Sequence, residues 1–204
     1  MSFKAPIGLP PTRADLAVAR AAARGATPAT ERPLQVITWL ADEKMVLGGA
    51  ILLWLYARAV RPEKDLAPEA DHILCCVALA GLLPHLFKRL VRRRRPDRTV
   101  VHGRRHGIPR SGNAWDSFPS GHALHLGAIA GPVARIVPRS LRPFVWSSVL
   151  ALAASRILLL AHYPSDVAAG LALGVALDKS MGRVSGASRA FFLSDAGPQE
   201  DAVG

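Results

Sequence analysis

The sequence predicts an all-α protein, a polytopic bundle of about five transmembrane helices preceded by an amphipathic N-terminal helix. Half of the 204 residues are apolar and the mean hydropathy is +0.21, which is high for a soluble protein with 26 Lys and Arg residues. The charges lie in clusters between apolar runs, as in membrane helices joined by polar loops. By length the chain forms one domain. We place it at residues 34–180, between an N-terminal tail, residues 1–33, and a polar C-terminal tail, residues 181–204.

The net charge of +11 and the isoelectric point near 11 restrict the expected partners. The sequence has no nucleic-acid recognition motif and no basic helix separate from the apolar runs, so we expect no nucleic-acid partner. Anionic lipid headgroups suit the charge better. Cys75 and Cys76 are adjacent within an apolar run, so we interpret them as small core residues and not as a disulfide or metal site. Residues 1–32 have no long apolar core, so we expect no cleavable signal peptide there.

The N-terminal tail contains one helical pattern. Residues 12–26 combine Ala, Leu and Val with Arg13, Asp15, Arg20 and Arg24, which predicts a short amphipathic helix. Such a helix either lies on the membrane surface or is a solvent-exposed tail helix, and its composition fits both.

Five apolar runs follow and predict the membrane spans. The first has Trp39 near its start and Trp54 near its end, as expected of aromatic anchors at the two membrane interfaces. The second contains Pro84, which has no N–H and so leaves one backbone carbonyl of the preceding turn without its helical donor. Neighbouring helices can supply a donor for that carbonyl. The predicted spans are residues 34–56, 72–87, 121–137, 141–161 and 164–177.

The third and fifth spans each contain two glycines four residues apart, Gly127 with Gly131 and Gly170 with Gly174. This spacing lets two helix backbones approach closely in lipid. Glycine-rich helices also contain such pairs by chance, and the sequence fits either explanation. Close packing would bring together the starts of the two spans.

The second span leads into a basic loop. Arg92, Arg93 and Arg94 follow it, and we interpret these three as a lipid-facing basic rim. Residues 97–118 form a loop that is placed to shape an entrance for substrate. Six of its side chains either contact a headgroup or belong to a solvated loop: His102, Arg104, Arg105, His106, Arg110 and Trp115.

Reactive and charged side chains lie at the ends of the apolar runs. Residues 155–166 read Ser-Arg-Ile-Leu-Leu-Leu-Ala-His-Tyr-Pro-Ser-Asp. Pro164 suits the first position of a new helix, which places Asp166 in a first turn where exposed amides stabilise a carboxylate. A carboxylate this close can also hold the proton of one nitrogen of His162 and leave the other free, as a nucleophile requires. Alternatively, Asp166 only caps the helix and His162 is an interfacial histidine.

Two further segments contain groups that bind anions. The sequence Pro-Ser-Gly-His opens the third span, with Ser120 as a natural N-cap. The amides of Gly121 and His122 then point out of a helix start, which is a ready anion site. Lys88 and Arg95 follow the second span and supply two cations, one of which can grip phosphate through two hydrogen bonds.

The predicted topology brings these segments together. When the spans cross alternately, the second ends at Lys88, and the third begins at Ser120. The fourth ends near His162 and the fifth begins at Pro164, so all four points fall on one membrane face. The N-terminus falls on the same face and the C-terminus on the other.

In chain order the three segments are Lys-x6-Arg-Pro, Pro-Ser-Gly-His and Ser-Arg-x5-His-x3-Asp. This order resembles the type 2 phosphatidic acid phosphatase (PAP2) superfamily, which includes lipid phosphate phosphatases and vanadium haloperoxidases, and all three motifs match it. The resemblance implies that His162 attacks phosphorus to form a phosphohistidine and that Asp166 orients its ring. It implies that His122 protonates the leaving group and then activates water. It also implies that five groups hold the phosphate oxygens: Lys88, Arg95, Arg156, the Ser120 hydroxyl and the Gly121 amide.

Two expectations concern what the site does not use. No carboxylate cluster suited to magnesium accompanies these cations in the sequence, so we expect a reaction without a metal or other cofactor. His125, one turn into the third span, is expected to pack or to support the site and not to catalyse.

Asp166 is expected to contribute less than the nucleophile, because orientation is a smaller effect than bond formation.

The resemblance implies an integral membrane enzyme, a hydrolase of phosphoric monoesters or diphosphates, that acts on a lipid phosphate or diphosphate. Phosphatidic acid, phosphatidylglycerophosphate and polyprenyl diphosphates such as undecaprenyl diphosphate all fit. The alternative is a non-enzymatic membrane scaffold that retains a phosphate-binding site, against which the intact His122, His162 and Asp166 argue. Haloperoxidases share the phosphate-binding residues, but they are soluble and larger, so the predicted spans argue against that activity.

The expected location is the bacterial inner (plasma) membrane. The resemblance implies an extracytoplasmic site face, whereas the positive-inside rule would place this basic face in the cytoplasm. The basic residues of the 97–118 loop can serve anionic substrates, so they do not report topology alone. We therefore expect the extracytoplasmic orientation.

Overall fold

The computed structural model describes residues 7–39, 42–59, 66–101 and 113–185. These residues form seven α-helices and one pair of two-residue strands, which confirms the predicted all-α character. The helices are α1 (Arg13–Gly25), α2 (Pro28–Trp39), α3 (Glu43–Ala59), α4 (Leu66–Leu90), α5 (Gly121–Ile136), α6 (Arg142–Leu158) and α7 (Pro164–Ser185). The strands are β1 (Ile7–Gly8) and β2 (Val91–Arg92), which pair in parallel.

The predicted amphipathic helix is present as α1. Thr12 caps it: its hydroxyl accepts from the amide of Asp15, and the Asp15 carboxylate accepts from the amide of Thr12, both at 3.0 Å. The helix is not a detached tail, because Ala19 is buried against Leu160 and Tyr163 of the loop before α7. The helix therefore covers the segment that carries His162.

The predicted first span, residues 34–56, is wrong as a single helix, because α2 ends at Trp39 and α3 begins at Glu43. Asp42 starts the new helix. Its carboxylate accepts from the amide of Lys44 at 3.1 Å and its carbonyl accepts from the amide of Val46 at 2.9 Å. A side chain that caps the next helix in this way competes with continuation of the previous one.

The other four predicted spans correspond to α4, α5, α6 and α7. Two helical segments, Leu66–Leu90 and Arg139–Leu158, are long and apolar enough to cross a membrane by length and composition. Helix α3 has 17 residues, at the lower limit of the range of about 17–25 for a span, and helix α5 has 16, just below that limit. The count of about five spans therefore stays a prediction. Helix α7 runs to Ser185, five residues into the segment predicted as a polar tail, and the domain boundaries stay a prediction.

Helices α5 and α7 cross in close backbone contact at three of the four glycines of the predicted pairs. A Cβ atom at Gly174 would overlap the carbonyl oxygen of Leu124, and one at Gly127 would overlap that of Leu171. A Cβ atom at Gly170 would lie 2.5 Å from the carbonyl oxygen of Ser120. The spacing therefore reflects packing and not chance, and it brings the starts of α5 and α7 together.

The substitution Gly174→Ala is expected to destabilise the protein by about 1–3 kcal/mol, because overpacking at rigid backbone forces the helices apart. The matched control is Gly49→Ala in α3, where an added Cβ would meet nothing within 4 Å. Thermal unfolding in detergent micelles checks this: Gly174→Ala should melt several degrees lower and Gly49→Ala should not. Equal melting temperatures for the two variants would contradict the packing assigned to α5 and α7.

The segment after α4 is held from two sides. The amide of Leu9 donates to the carbonyl of Arg92 at 3.1 Å, next to the β1–β2 pair. On the other side, the amide of Arg93 donates to the carbonyl of Trp115 at 2.9 Å, and the amide of Ser117 donates to the carbonyl of Arg93 at 3.1 Å. These bonds place residues 91–95 between the N-terminal segment and residues 115–117, which precede α5.

Candidate active site

The residues of the three motifs lie at one end of the bundle. Lys88 is in the last turn of α4, Ser120 caps α5, and Arg156 is in the last turn of α6. The amide of Ser120 donates to the carbonyl of Asp166 at 3.1 Å, which ties the start of α5 to the start of α7.

The charged groups of the motifs are close enough to interact. His122 interacts electrostatically with Arg156, Arg95 and Lys88. His162 interacts with Arg95, Arg156 and His122. The fold therefore brings the three motifs to one place, as the alternating topology predicts.

His162 is 4% exposed and lies in the loop between α6 and α7. Its Nδ1 atom is 2.7 Å from the carbonyl oxygen of Ser117. A carbonyl oxygen only accepts, so in the neutral ring Nδ1 must carry the proton and Nε2 must carry the lone pair. This is the tautomer that a nucleophilic histidine needs, and the structure assigns it through a backbone carbonyl.

Asp166 does not hold the ring directly, in contrast to the orientation that the resemblance implies. Its Oδ2 atom is 3.9 Å from Nδ1 of His162, beyond hydrogen-bond distance. The carboxylate is occupied elsewhere: Oδ2 accepts from the Ser117 hydroxyl at 2.6 Å and from the Tyr163 amide at 2.8 Å, and Oδ1 accepts from Arg93. Asp166 thus acts on His162 through Ser117, since it fixes the residue whose carbonyl holds the ring.

The environment keeps the His162 ring neutral. Burial lowers its pKa well below the usual value near 6.5, and the charges of Arg95 and Arg156 lower it further. The hydrogen bond to the Ser117 carbonyl opposes this shift without cancelling it. A lowered pKa means that the ring stays unprotonated as the pH falls through 6.5, so its lone pair remains available.

The tautomer and the lowered pKa can be measured together. We expect that in ¹⁵N-histidine NMR spectra of the substrate-free protein in micelles, the His162 signals still show the neutral Nδ1–H tautomer at pH 6. Subtraction of the His162→Ala spectrum assigns the signals. An imidazolium at pH 6, or the Nε2–H tautomer at neutral pH, would contradict the geometry described here.

The two buried arginines differ in what they already bind. Arg95 donates to three backbone carbonyls, those of Ala161, Asn113 and Asp116, at 3.1, 3.1 and 3.3 Å, which leaves two of its five N–H groups. Burial lowers its pKa. Arg156 donates from Nη1 to the hydroxyl of Thr38 at 3.2 Å, and its buried Nε has no hydrogen-bond partner among the described residues. Arg156 is therefore the cation with more free donors for an anion.

The predicted basic rim is wrong for Arg93. Its side chain is 1% exposed and makes salt bridges to Asp15 at 2.7 Å and to Asp166. Arg92 and Arg94 are exposed and stack on Trp115, with guanidinium-to-ring distances of 4.3 and 5.9 Å. The chain is extended here, so residues two apart face the same way. That alternation places Arg93 on the buried side with Arg95 and could have identified it.

Other predicted residues have mixed outcomes. His125 is buried, and its Nδ1 is 2.9 Å from the carbonyl of Gly121, consistent with a supporting role. Trp115, which lies beside Arg92 and Arg94, is 41% exposed. The remaining predicted headgroup contacts fall outside the described residues: His102, Arg104, Arg105, His106 and Arg110.

A cavity of about 600 Å³ opens beside His122. Its lining combines apolar and polar side chains, mostly from α2: Arg32, Gln35, Val36, Thr38, Trp39, Asp42 and His122. Because Thr38 also receives the hydrogen bond of Arg156, the cavity adjoins the guanidinium of Arg156. The sequence did not reveal this wall, since residues 34–56 read as one span.

A second polar cluster lies toward the other end of α4. His72 Nε2 is 2.8 Å from Asp178 Oδ1 and 3.5 Å from the thiol of Cys76, and the three side chains could together hold a metal ion. Arg135 also donates to Asp178 Oδ1, at 3.0 Å, and to Glu69. Cys75 and Cys76 are both free thiols. Cys76 is buried as predicted, whereas Cys75 is exposed, so the prediction of a core residue is wrong for Cys75. The buried carboxylates and cations thus satisfy one another.

Comparisons with known proteins identify the family. The model of the PAP2 superfamily matches residues 71–187. The chain is 40% identical to a lipid A 1-phosphatase of Rhizobium etli over 72% of this chain and 70% of that protein. It is 34% identical to the lipid A 1-phosphatase of Rhizobium johnstonii over 69% of this chain and 62% of that protein. It is 42% identical to a decaprenylphosphoryl-5-phosphoribose phosphatase of Mycobacterium tuberculosis over 53% of this chain and 56% of that protein.

Solved structures of the same fold are also similar. The crystal structure of Aquifex aeolicus LpxE aligns with a TM-score of 0.61 at 18% identity, over 82% of this chain and 94% of that one. A transmembrane PAP2-type phosphatidylglycerolphosphate phosphatase from Bacillus subtilis aligns with a TM-score of 0.63 at 21% identity, over 85% of both chains. The chain spans less than two thirds of the length of the Rhizobium johnstonii and Mycobacterium tuberculosis relatives, 62% and 56%. Two of the described helical segments are long and apolar enough to cross a membrane. This chain belongs to the PAP2 superfamily.

Proposed function

We propose that this protein is a membrane enzyme that hydrolyses a lipid phosphate through a phosphohistidine on His162, and that its substrate is a phosphorylated glycolipid. The observation that carries the proposal is the state of His162, a buried neutral ring with its lone pair on Nε2 and with Arg95 and Arg156 beside it. A nucleophile in this state, next to cations that can hold phosphate oxygens, suits phosphoryl transfer.

The proposed reaction has two steps. His162 Nε2 bonds to phosphorus while the bond to the leaving oxygen breaks, and His122 donates a proton to that oxygen. Water then attacks the phosphohistidine, His122 takes the proton, and the P–N bond breaks to release phosphate and restore the histidine. Throughout, the phosphate oxygens are held by Lys88, Arg95, Arg156, the Ser120 hydroxyl and the Gly121 amide. These roles rest on the resemblance.

The substrate class is supported by the relatives and by the cavity. Relatives named for lipid A, phosphoribose and glucose-6-phosphate act on phosphorylated sugars. The cavity beside His122 lies where a leaving group would lie if His122 protonates it. Trp39 offers an aromatic face to a sugar ring, and Gln35 and Asp42 offer hydrogen-bond partners for hydroxyl groups.

Phosphate release by the purified protein in detergent micelles tests the function. Lipid A, phosphatidic acid and a polyprenyl diphosphate are offered side by side with a chelator present, and His162→Ala serves as the control. We expect release that is fastest from lipid A, is unaffected by the chelator and vanishes in the variant. Faster release from the diphosphate would overturn the substrate class. Phosphate binding without release from any substrate would favour the scaffold alternative.

We also propose a bacterial inner-membrane location with an extracytoplasmic site face, as the resemblance implies. An impermeant thiol reagent applied to intact cells tests the orientation with a single cysteine at position 106, in a background that lacks Cys75 and Cys76. Labelling without cell lysis is expected, whereas labelling only after lysis would place the site in the cytoplasm.

A further inference from the structure

A continuous set of buried polar contacts runs from α1 to His162. Its centre is Arg93, whose Nη2 donates to Asp15 Oδ2 at 2.7 Å and whose Nη1 donates to Asp166 Oδ1. Asp166 Oδ2 accepts from the Ser117 hydroxyl at 2.6 Å, and the Ser117 carbonyl is 2.7 Å from His162 Nδ1. The side chains of Asp15, Arg93 and Asp166 are 2%, 1% and 0% exposed, so water does not compete for these contacts.

Ser165 links Asp15 to Arg93 a second time. Its hydroxyl donates to Asp15 Oδ2 at 2.7 Å and accepts from Arg93 Nη1 at 2.8 Å, and its amide donates to Asp15 Oδ1 at 3.1 Å. Asp15 therefore holds both the guanidinium and the backbone of the first turn of α7. Asp166 lies in that same turn.

Asp15 remains ionised in this environment. Burial raises its pKa, but hydrogen bonds from Ser165, from the Thr12 amide and from Arg93 outweigh burial and lower the pKa to about 2. A fixed negative charge thus faces Arg93 over the whole working pH range. One guanidinium with a carboxylate on each side is held at a defined angle, because its planar donors bind both.

Asp15 is not the only attachment of the N-terminal segment. Strand β1 pairs with β2, and Ala19 packs against Leu160 and Tyr163. The neighbouring Tyr163 ring also lies under Arg93, 4.8 Å from the guanidinium. Loss of the Asp15 charge would therefore leave α1 docked and would act on Arg93 and on the first turn of α7.

We propose that Asp15 is a positioning residue of the reaction, which acts through Arg93 and Asp166 on Ser117 and so fixes the tautomer and direction of His162. The inference rests on the proposed function. It makes the N-terminal helix a part of the active site, although α1 contributes no residue to the three motifs.

The test is the substitution Asp15→Asn, which keeps the size of the side chain and removes its charge. We expect kcat to fall about tenfold, the lower end of the range for loss of a supporting partner, with KM changed less than about twofold because the phosphate-binding cations stay in place. The control is Thr12→Ala, which removes the cap of the same helix but leaves the Asp15 carboxylate on Arg93. Its kcat should match that of the unmodified protein.

A double-substitution cycle separates positioning from a general structural role. Ser117→Ala removes the hydroxyl that links Asp166 to the histidine-binding carbonyl. If Asp15 acts along this path, Asp15→Asn should cost little further kcat in the Ser117→Ala background, whereas independent effects would multiply. All rates are taken per monodisperse protein from gel filtration. Arg93→Lys, which keeps the charge but cannot bridge two carboxylates, replaces Asp15→Asn if that variant does not fold.

The inference about Asp15 and the proposed function are overturned by different results. Unchanged kcat in Asp15→Asn, or multiplicative effects in the cycle, would overturn the inference while leaving the proposed function intact. Continued phosphate release by His162→Ala would overturn the proposed function itself. The His162 NMR signals give an independent readout, since Asp15→Asn should mix the two tautomers and Thr12→Ala should not.

Discussion

His162→Ala is expected to lower kcat by at least about 10³-fold, because the substitution removes the atom that bonds to phosphorus. The remaining cations and the start of α5 can still bind phosphate, so affinity for orthophosphate should change little. Rates of phosphate release from lipid A and the inhibition constant of orthophosphate, measured on the same preparation, check both statements.

The matched control is His85→Ala, since His85 is an exposed histidine on α4 that takes no part in the motifs. Its rate should equal that of the unmodified protein. Turnover by His162→Ala within about tenfold of the unmodified rate would remove the covalent mechanism.

Asp166→Ala is expected to be nearly as damaging as His162→Ala, and it should also lower stability. The sequence alone suggests a smaller loss, on the view that the carboxylate only orients a ring. In the structure Asp166 is 0% exposed and accepts from Arg93, Ser117 and Tyr163. Its removal leaves a buried guanidinium without one of its two carboxylates, and breaking a buried ion pair costs about 3–5 kcal/mol.

Two measurements distinguish this result from loss of a catalytic group. Thermal unfolding in micelles should show a large decrease for Asp166→Ala and little change for His162→Ala. The control is Asp71→Ala, which breaks the half-exposed pair of Asp71 with Arg58 at 2.7 Å and should cost at most about 1 kcal/mol. A stable Asp166→Ala variant that retains a tenth of the activity would show that Asp166 does not assemble the site.

The motif residues could be predicted because their positions at helix ends follow from short stretches of sequence. Pro164 starts a helix, Ser120 caps one, and Lys88 ends one, so their positions follow from helix boundaries that the sequence marks. The glycine pairs were ambiguous in the sequence, because spacing shows that close approach is allowed but not which helix approaches. The positions of Gly170 and Gly174 against α5 resolve this.

The supporting residues could not be predicted in the same way. Four consecutive arginines look alike in sequence, and the alternation that turns Arg93 inward applies only once the path from β2 to Arg95 is known to be extended. Asp15 reads as the capping-box residue of a surface helix, and it fills that role as well. Its partners Arg93 and Ser165 are distant in sequence, so its burial depends on tertiary contacts that no local pattern encodes.

The break between α2 and α3 illustrates the same limit. Residues 34–56 are apolar enough to read as one span, and the capping bonds of Asp42 outweigh that pattern. As a consequence, the end of α2 forms a wall of the cavity beside His122. A single span would have left the proposed phosphate site without this wall.

Rapid trapping of a phosphorylated enzyme with an alkaline denaturing quench tests the covalent mechanism. The purified protein is mixed for milliseconds with radiolabelled lipid A phosphate, quenched, and mapped by mass spectrometry of peptides kept at alkaline pH. We expect an acid-labile, alkali-stable phosphate on His162 that forms before free phosphate appears and is absent from His162→Ala. Phosphate release without any phosphoenzyme, or a phosphate found on His122 instead, would contradict it.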